Sequence, residues 1–146
     1  MVDDRLRDGV RIGQLLASEI TGNEGSLREL ALGDADPDVE PTPDGALAYR
    51  VVREGREGES GGDGARLVAE TYVQPDRIRV EFVAGSGGDE WDDATGTPEI
   101  AADAAADAGL RVRPKAVRPP RTLVFVEDGA QVKRALSVFE AVVDAI

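Results

Sequence analysis

The chain has 146 residues, a length typical of one domain, and we predict a single domain over residues 1–146. Cysteine and histidine are both absent, which excludes disulfides, thiolate nucleophiles and imidazole bases. The net charge is −12. No apolar run approaches about 18 residues, and the charged N-terminal segment lacks an apolar signal core, so we expect a cytoplasmic protein that has no membrane partner.

The N-terminal segment is predicted to be helical. Apolar residues recur at three- and four-residue spacing over residues 6–20. Asp3 or Asp4 is the expected N-cap, and Gly22 is the expected stop.

A second, shorter helix is predicted next. Ser26 and Glu29 have the spacing of a capping box, and Gly33 would end the helix. Residues 33–45 contain three prolines and many acids, which favours a loop. The alternation of residues 46–53 predicts the first strand.

A β-hairpin is the clearest local unit of the sequence. Residues 66–73 and 77–84 each alternate, with apolar side chains on one face, and Gln74-Pro75-Asp76-Arg77 suits a tight turn. The other face carries charged residues, and we expect opposite charges to pair across the two strands. These residues are Arg66, Glu70, Arg79 and Glu81.

The C-terminal part is predicted to contain two helices and two strands. Thr97 caps an alanine-rich helix, and residues 110–113 and 121–127 are extended. A last amphipathic helix starts at Asp128, and Gln131 completes its N-terminal box.

The order of elements predicts the fold class. Consecutive strands flanked by helices indicate an α+β fold with a largely antiparallel sheet of four to five strands and helices packed on one face. Apolar residues that fall on the second face could instead mark a homodimer interface. They are Val52, Val68, Tyr72 and Val83.

A basic segment stands out against the acidic chain. Residues 110–126 contain five cations and no acid, and alternate residues of an extended chain share a face. Arginine-rich segments bind phosphate, nucleotides or an RNA backbone, but in an acidic chain pairing with nearby carboxylates is the favoured interpretation. No aromatic residue interrupts 110–121 to stack bases. The candidate anion-binding residues are Arg111, Arg113, Lys115, Arg118 and Arg121.

Other patterns are weaker. Asp34, Asp36 and Asp38 have the first spacings of a calcium loop, but the turn glycine and the bidentate glutamate are missing. The glycine-rich stretch 85–88 matches no phosphate-loop pattern. The acids Glu90, Asp92 and Asp93 beside Trp91 have nothing that distinguishes them from chance neighbours. We therefore predict no metal, cofactor or catalytic residue.

Two stretches carry a resemblance to known sequences. They are ADPDVEPTPDG at 35–45 and AGLRVRPKAVRPPRTLVFVE at 108–127. With the scarcity of lysine, they resemble an uncharacterised family of small acidic proteins from halophilic archaea. The resemblance implies a halophilic cytoplasm and no particular activity. At molar salt the Debye length is about 3 Å, so crowded carboxylates repel each other little.

The function that follows from the sequence is a non-catalytic interaction or assembly domain, which would act as a homodimer or with a protein partner. The alternative is an anion-, nucleotide- or RNA-binding module that uses the basic segment 111–121. Nucleic acid is the less favoured partner, because the chain as a whole is acidic. An enzyme is the third hypothesis. The sequence does not favour it, because no catalytic motif is present.

Overall fold

The computed structural model describes most of the chain. The described residues are 8–22, 27, 30–33, 35–36, 38–53, 66–83, 97–115 and 121–145. The helices are α1 (Gly9–Thr21), α2 (Thr97–Asp107) and α3 (Gly129–Ala145). The strands are β1 (Leu30–Gly33), β2 (Ala46–Arg53), β3 (Arg66–Gln74), β4 (Arg77–Val83), β5 (Arg111–Lys115) and β6 (Arg121–Val126).

The strands form one antiparallel sheet in the order β1-β2-β3-β4-β6-β5. The α+β prediction is confirmed, but the sheet has six strands among the described residues, more than the four to five expected. The additional strand is β1, where the capping-box spacing had predicted a short helix. Leu30 to Gly33 instead pair with the free edge of β2, opposite Arg53 to Arg50. Tertiary pairing therefore overrides a weak local preference over four residues.

The helices pack on one face of the sheet, which we call the inner face. Phe139 of α3 meets Phe82 of β4, with ring centroids 4.9 Å apart. On α1, the position of Gly13 lies against the side chains of Val73 and Ile78. Both α1 and α2 also contact α3, so the three helices form one layer over one core.

Caps define the helix starts. Asp8 is the N-cap of α1 and accepts a hydrogen bond from the amide of Arg11; the expected caps, Asp3 and Asp4, lie outside the described residues. At α3 the predicted box is confirmed. The amide of Gln131 donates to Asp128, and the Gln131 side chain accepts from the amide of Glu127.

Glycine anchors α1 to the β3–β4 hairpin. The amide of Gly9 donates to the carbonyl of Pro75 at 3.1 Å. A Cβ at this position would collide with the carbonyl oxygen of Gln74, so only glycine lets the helix start this close to the turn. Within the described residues, none of the helices has the length and apolar character needed to cross a membrane.

Candidate functional site

The face of the sheet opposite the helices, the outer face, carries most of the polar strand residues. Side chains alternate along each strand, and directly opposite residues on neighbouring strands share a face. Because Val80 and Val124 point into the core, their sequence neighbours point outward. The charged and aromatic residues of the described outer face include Arg50, Glu70, Tyr72, Arg77, Arg79, Glu81, Arg111, Arg113, Arg121, Phe125 and, just after β6, Glu127; apolar residues such as Val68, Val83 and Leu123 lie among them.

Two buried glutamates lie at its centre. Glu70 and Glu81 are directly opposite each other on β3 and β4, and their side chains are 8% and 1% exposed. Like charges in this position destabilise a sheet. Arg121 offsets the repulsion, because its Nη1 donates to Oε1 of both carboxylates at 2.9 Å. In the described register Glu70 is opposite Glu81 and Arg79 is opposite Tyr72, while the side chain of Arg66 lies outside the described part.

Further donors hold these carboxylates. The Nε of Arg50 lies 3.0 Å from Glu70, and the Tyr72 hydroxyl donates to the same carboxylate at 2.6 Å. The Nε of Arg79 donates to Glu81 at 2.8 Å. The central cluster, defined as Arg50, Glu70, Arg79, Glu81 and Arg121, thus contains three cations and two carboxylates.

Contacts around Glu70 shift the pKa values of three groups: Glu70 itself, Tyr72 and Arg121. Burial opposes ionisation of Glu70, but hydrogen bonds from Tyr72, Arg50 and Arg121 outweigh it and lower the pKa of that carboxyl. Burial and the Glu70 carboxylate raise the pKa of the Tyr72 hydroxyl. Although burial works against it, hydrogen bonds to Glu81 and Glu70 raise the pKa of Arg121. Glu70 and Arg121 stay charged and Tyr72 stays protonated near neutral pH, which suits binding and not proton transfer.

A second group surrounds Glu127. Its Oε2 accepts from Nη1 of Arg77 at 3.2 Å and lies 3.4 Å from Nε of Arg111. The guanidinium of Arg77 also lies over the ring of Phe125, 5.3 Å from its centroid. Two cations therefore share one carboxylate, and the side chain of Arg111 is still 66% exposed.

Arginines and aromatic rings alternate across four strands. Tyr72, Arg79, Phe125 and Arg111 are directly opposite one another in turn on β3, β4, β6 and β5. We call these four residues the transverse row. Arg79 lies over the ring of Tyr72, 4.7 Å from its centroid. Sequence reasoning missed this row, because it searched for aromatic residues within the basic segment and not across strands.

The predicted basic segment is divided by the fold. Arg121 is held by two glutamates, whereas Arg111 and Arg113 are exposed and lie opposite Phe125 and Leu123. Among the described residues no carboxylate is within ion-pair distance of Arg113. Lys115 ends β5 opposite Arg121, and its side chain is outside the described part.

Arg118, the fifth predicted anion-binding residue, lies outside the described residues. Residues 85–93 also lie outside them; this stretch contains the glycine-rich segment, Trp91 and the three acids around it. Asp34 is also outside. The carboxylate of Asp36 accepts from the amide of Asp38, so it closes a local turn. In the part that the structure describes, no group of three or more acids is arranged to hold a metal ion.

The four apolar residues considered for a dimer interface do not form one exposed patch. Val68 and Val83 are buried, while Val52 and Tyr72 are half-buried. The hydroxyl of Tyr72 instead donates a hydrogen bond to Glu70 of the central cluster. Self-association through these four residues therefore has little apolar surface available to it.

A polar cavity of about 270 Å³ lies beside the Glu127 group. It is lined by Asp76, Arg77, Glu127, Asp128 and Gln131. Glu127 is already bonded to Arg77, and Asp128 caps α3, so two of its three carboxylates are engaged.

Comparison with known proteins gives a family and no activity. A family model described as "Family of unknown function (DUF7993)" matches residues 1–146. No curated protein and no solved structure matches the chain. Any functional conclusion must therefore come from the chemistry of the surface itself.

Proposed function

This chain belongs to the family of unknown function DUF7993, and we propose that it is a non-catalytic interaction domain whose outer face binds an anionic partner. One observation carries the proposal: among the described residues, arginines outnumber glutamates in both ion-pair groups on this face. The central cluster has three against two, the Glu127 group has two against one, and Arg113 has no carboxylate partner among the described residues. In a chain with a net charge of −12, a face with excess positive charge needs an explanation.

The residue composition of the outer face supports a role in binding a partner. Arginine, tyrosine and phenylalanine are enriched at binding interfaces, where rigid aromatic and bidentate groups lose little entropy on binding. Here Arg77 and Arg79 are already ordered by carboxylates and aromatic rings. A partner would therefore meet preorganised donors.

A second copy of this chain is a poor occupant of this face. A two-fold contact would bring the same excess of arginines together, and like charges across an interface disfavour association. Any homodimer is expected to use another surface. The fixed ion pairs also argue against an enzyme, since hydrogen bonds from Tyr72 and two arginines lower the pKa of Glu70 and keep it ionised.

The alternative is an anion-, nucleotide- or RNA-binding module that uses residues 111–121. It is supported for only two cations of that segment. Arg111 and Arg113 are exposed, which supports a role in binding. Arg121 is committed to Glu70 and Glu81, so it supports the sheet more than it offers a free cation. The segment thus contributes two cations to the larger outer face. We also propose a high-salt cytoplasm as the working environment, on the strength of the net charge.

The proposal is tested by arginine labelling with phenylglyoxal, read by mass spectrometry. The protein is labelled in buffer and in a cytosolic extract of the cells that make it. We expect Arg111 and Arg113 to be protected in the extract, while Arg134, exposed on α3 in the helix layer, reacts equally in both. Equal labelling of all three arginines, with and without extract, would contradict the proposal.

A further inference from the structure

Building on the proposed function, we infer that the anionic partner is a single-stranded polynucleotide, with phosphates on the arginines of β5 and bases stacked across the transverse row. The inference goes beyond anion binding, because it assigns a role to the aromatic rings as well as to the charges. It depends on the outer face being the interaction surface.

The width of the transverse row suits a few nucleotides. Neighbouring strands lie about 4.8 Å apart, so the four residues span roughly 14 Å and the two aromatic rings are roughly 10 Å apart. Tyr72 and Phe125 are half-buried, so each ring is anchored and still partly accessible. Sheets that bind single-stranded RNA stack two or three bases on aromatic residues over a face of this kind.

The guanidinium groups extend the stacking surface. Arg79 lies over Tyr72 and Arg77 over Phe125. Bases stack on arginine planes as well as on aromatic rings, so an arginine above a ring continues the platform and does not block it. Every base has a flat face, which predicts binding with little sequence preference.

The distribution of charge suggests how the strand lies. The two exposed cations of the described outer face, Arg111 and Arg113, are next to each other on one face of the edge strand β5. A strand that runs along the transverse row would place phosphates near these two arginines where one base lies over Phe125, and its following bases would continue toward Tyr72. A duplex would present the phosphates but not the base faces, which are already stacked inside the helix.

An acidic protein segment is the competing partner. It would satisfy the same arginines, yet Asp and Glu side chains have no aromatic ring to stack on two rings flanked by guanidinium groups. The presence of Tyr72 and Phe125 in register with Arg79 and Arg111 therefore favours a polynucleotide. The test must separate these two chemistries.

Fluorescence anisotropy with a labelled oligouridylate of about 12 nucleotides, within known single-strand site sizes, provides the measurement. Over the range of KCl in which thermal melts show the protein to be folded, affinity should fall as KCl is raised, with a log–log slope of roughly −2 for about three phosphates contacted. Phe125→Leu, which keeps an apolar side chain at the half-buried position, should weaken binding at least about fivefold through lost stacking.

Two charge variants complete the design. Arg113→Glu should weaken binding and reduce the salt slope by roughly one. Arg134→Glu, on the helix layer, serves as the matched control and should bind like the wild type. Thermal melts of each variant verify that the fold is retained.

Competition separates the proposals. If polyglutamate of similar length displaces the oligonucleotide as well as unlabelled oligouridylate does, or if Phe125→Leu binds normally, the polynucleotide inference fails while an anion-binding face survives. If no oligonucleotide binds but Arg111 and Arg113 are protected in extract, the inference fails and the proposed function stands. If Arg134→Glu weakens binding as much as Arg113→Glu, both fail.

Discussion

Replacing Arg121 by methionine gives the sharpest test of how the outer face is held together. The substitution keeps a long side chain but removes the donor that bridges Glu70 and Glu81. Two facing, largely buried carboxylates would then keep their contacts with Arg50, Tyr72 and Arg79 but lose the cation that bridges them. Removing one partner of a buried ion pair costs about 3–5 kcal/mol.

The lower end of that range applies here. Because the side chain of Arg121 is 27% exposed, water can replace part of its bonding, and we expect a loss of about 3 kcal/mol. For a domain of this size, that loss lowers the midpoint of thermal unfolding by roughly 10 °C. Urea unfolding at constant KCl gives the free energy directly, without the charge screening that guanidinium would add.

The pH dependence provides a second, independent readout. In the wild type the pKa of Glu70 lies below the usual 4.5, so its stabilisation is present above that value and is lost as pH falls through the folded-state pKa. In Arg121→Met we expect the facing charges to raise the pKa of one glutamate. A raised carboxyl pKa destabilises the fold at high pH and less so at low pH. The difference in the free energy of unfolding between Arg121→Met and the wild type should therefore become smaller as the pH is lowered from about 7 to about 5.

The matched control is Arg113→Met on the same face, which removes an exposed arginine with no carboxylate partner among the described residues. It should change stability by no more than about 0.5 kcal/mol. Adding Glu81→Gln to Arg121→Met should recover part of the loss by removing one of the facing charges. The reasoning is refuted if Arg121→Met is no less stable than the control, or if its deficit is independent of pH.

Three further predictions concern the rest of the fold. Thermal stability should rise with KCl, because the net charge of −12 repels itself in dilute buffer, and equal melting temperatures at low and molar KCl would contradict this. In Gly9→Ala the free energy of unfolding measured in urea should fall by about 1–3 kcal/mol, because the added methyl group meets the Gln74 carbonyl. Gly33→Ala has open space around the added methyl group and should be as stable as the wild type. Equal effects of the two substitutions would refute the packing argument. In Tyr49→Phe the free energy of unfolding should fall by about 1 kcal/mol, because the buried hydroxyl donates a hydrogen bond to the carbonyl of Gly13 at 2.7 Å. An unchanged midpoint of urea unfolding would show that this hydrogen bond does not stabilise the fold.

Local sequence patterns predicted much of the fold. The β3–β4 hairpin, the alanine-rich helix and the box at Asp128 all depend on residues within a few positions of one another. The strand β1 could not be found in this way, because its pairing partner is β2, about 20 residues further along the chain. Four residues carry too little local preference to resist such pairing.

The candidate site was predictable only in pieces. A two-residue connection at Pro75 and Asp76 sets Tyr72 opposite Arg79, so one ring–arginine neighbour could be derived from the hairpin alone. Placing Phe125 beside Arg79 requires the register of β4 with β6, which no local pattern encodes. The same non-local pairing brings Arg121 to Glu81, 40 residues away in sequence.

The most direct test of the central claim is to observe the arginine side chains themselves. Nε–H signals in ¹H–¹⁵N NMR spectra can be followed while inorganic polyphosphate, a polyanion without bases, is added. We predict that the signals of Arg77, Arg111 and Arg113 shift in a saturable way, while those of Arg11 and Arg134, both on helices, stay in place. Shifts of similar size on the helices, or no saturable shift on the sheet, would contradict the account.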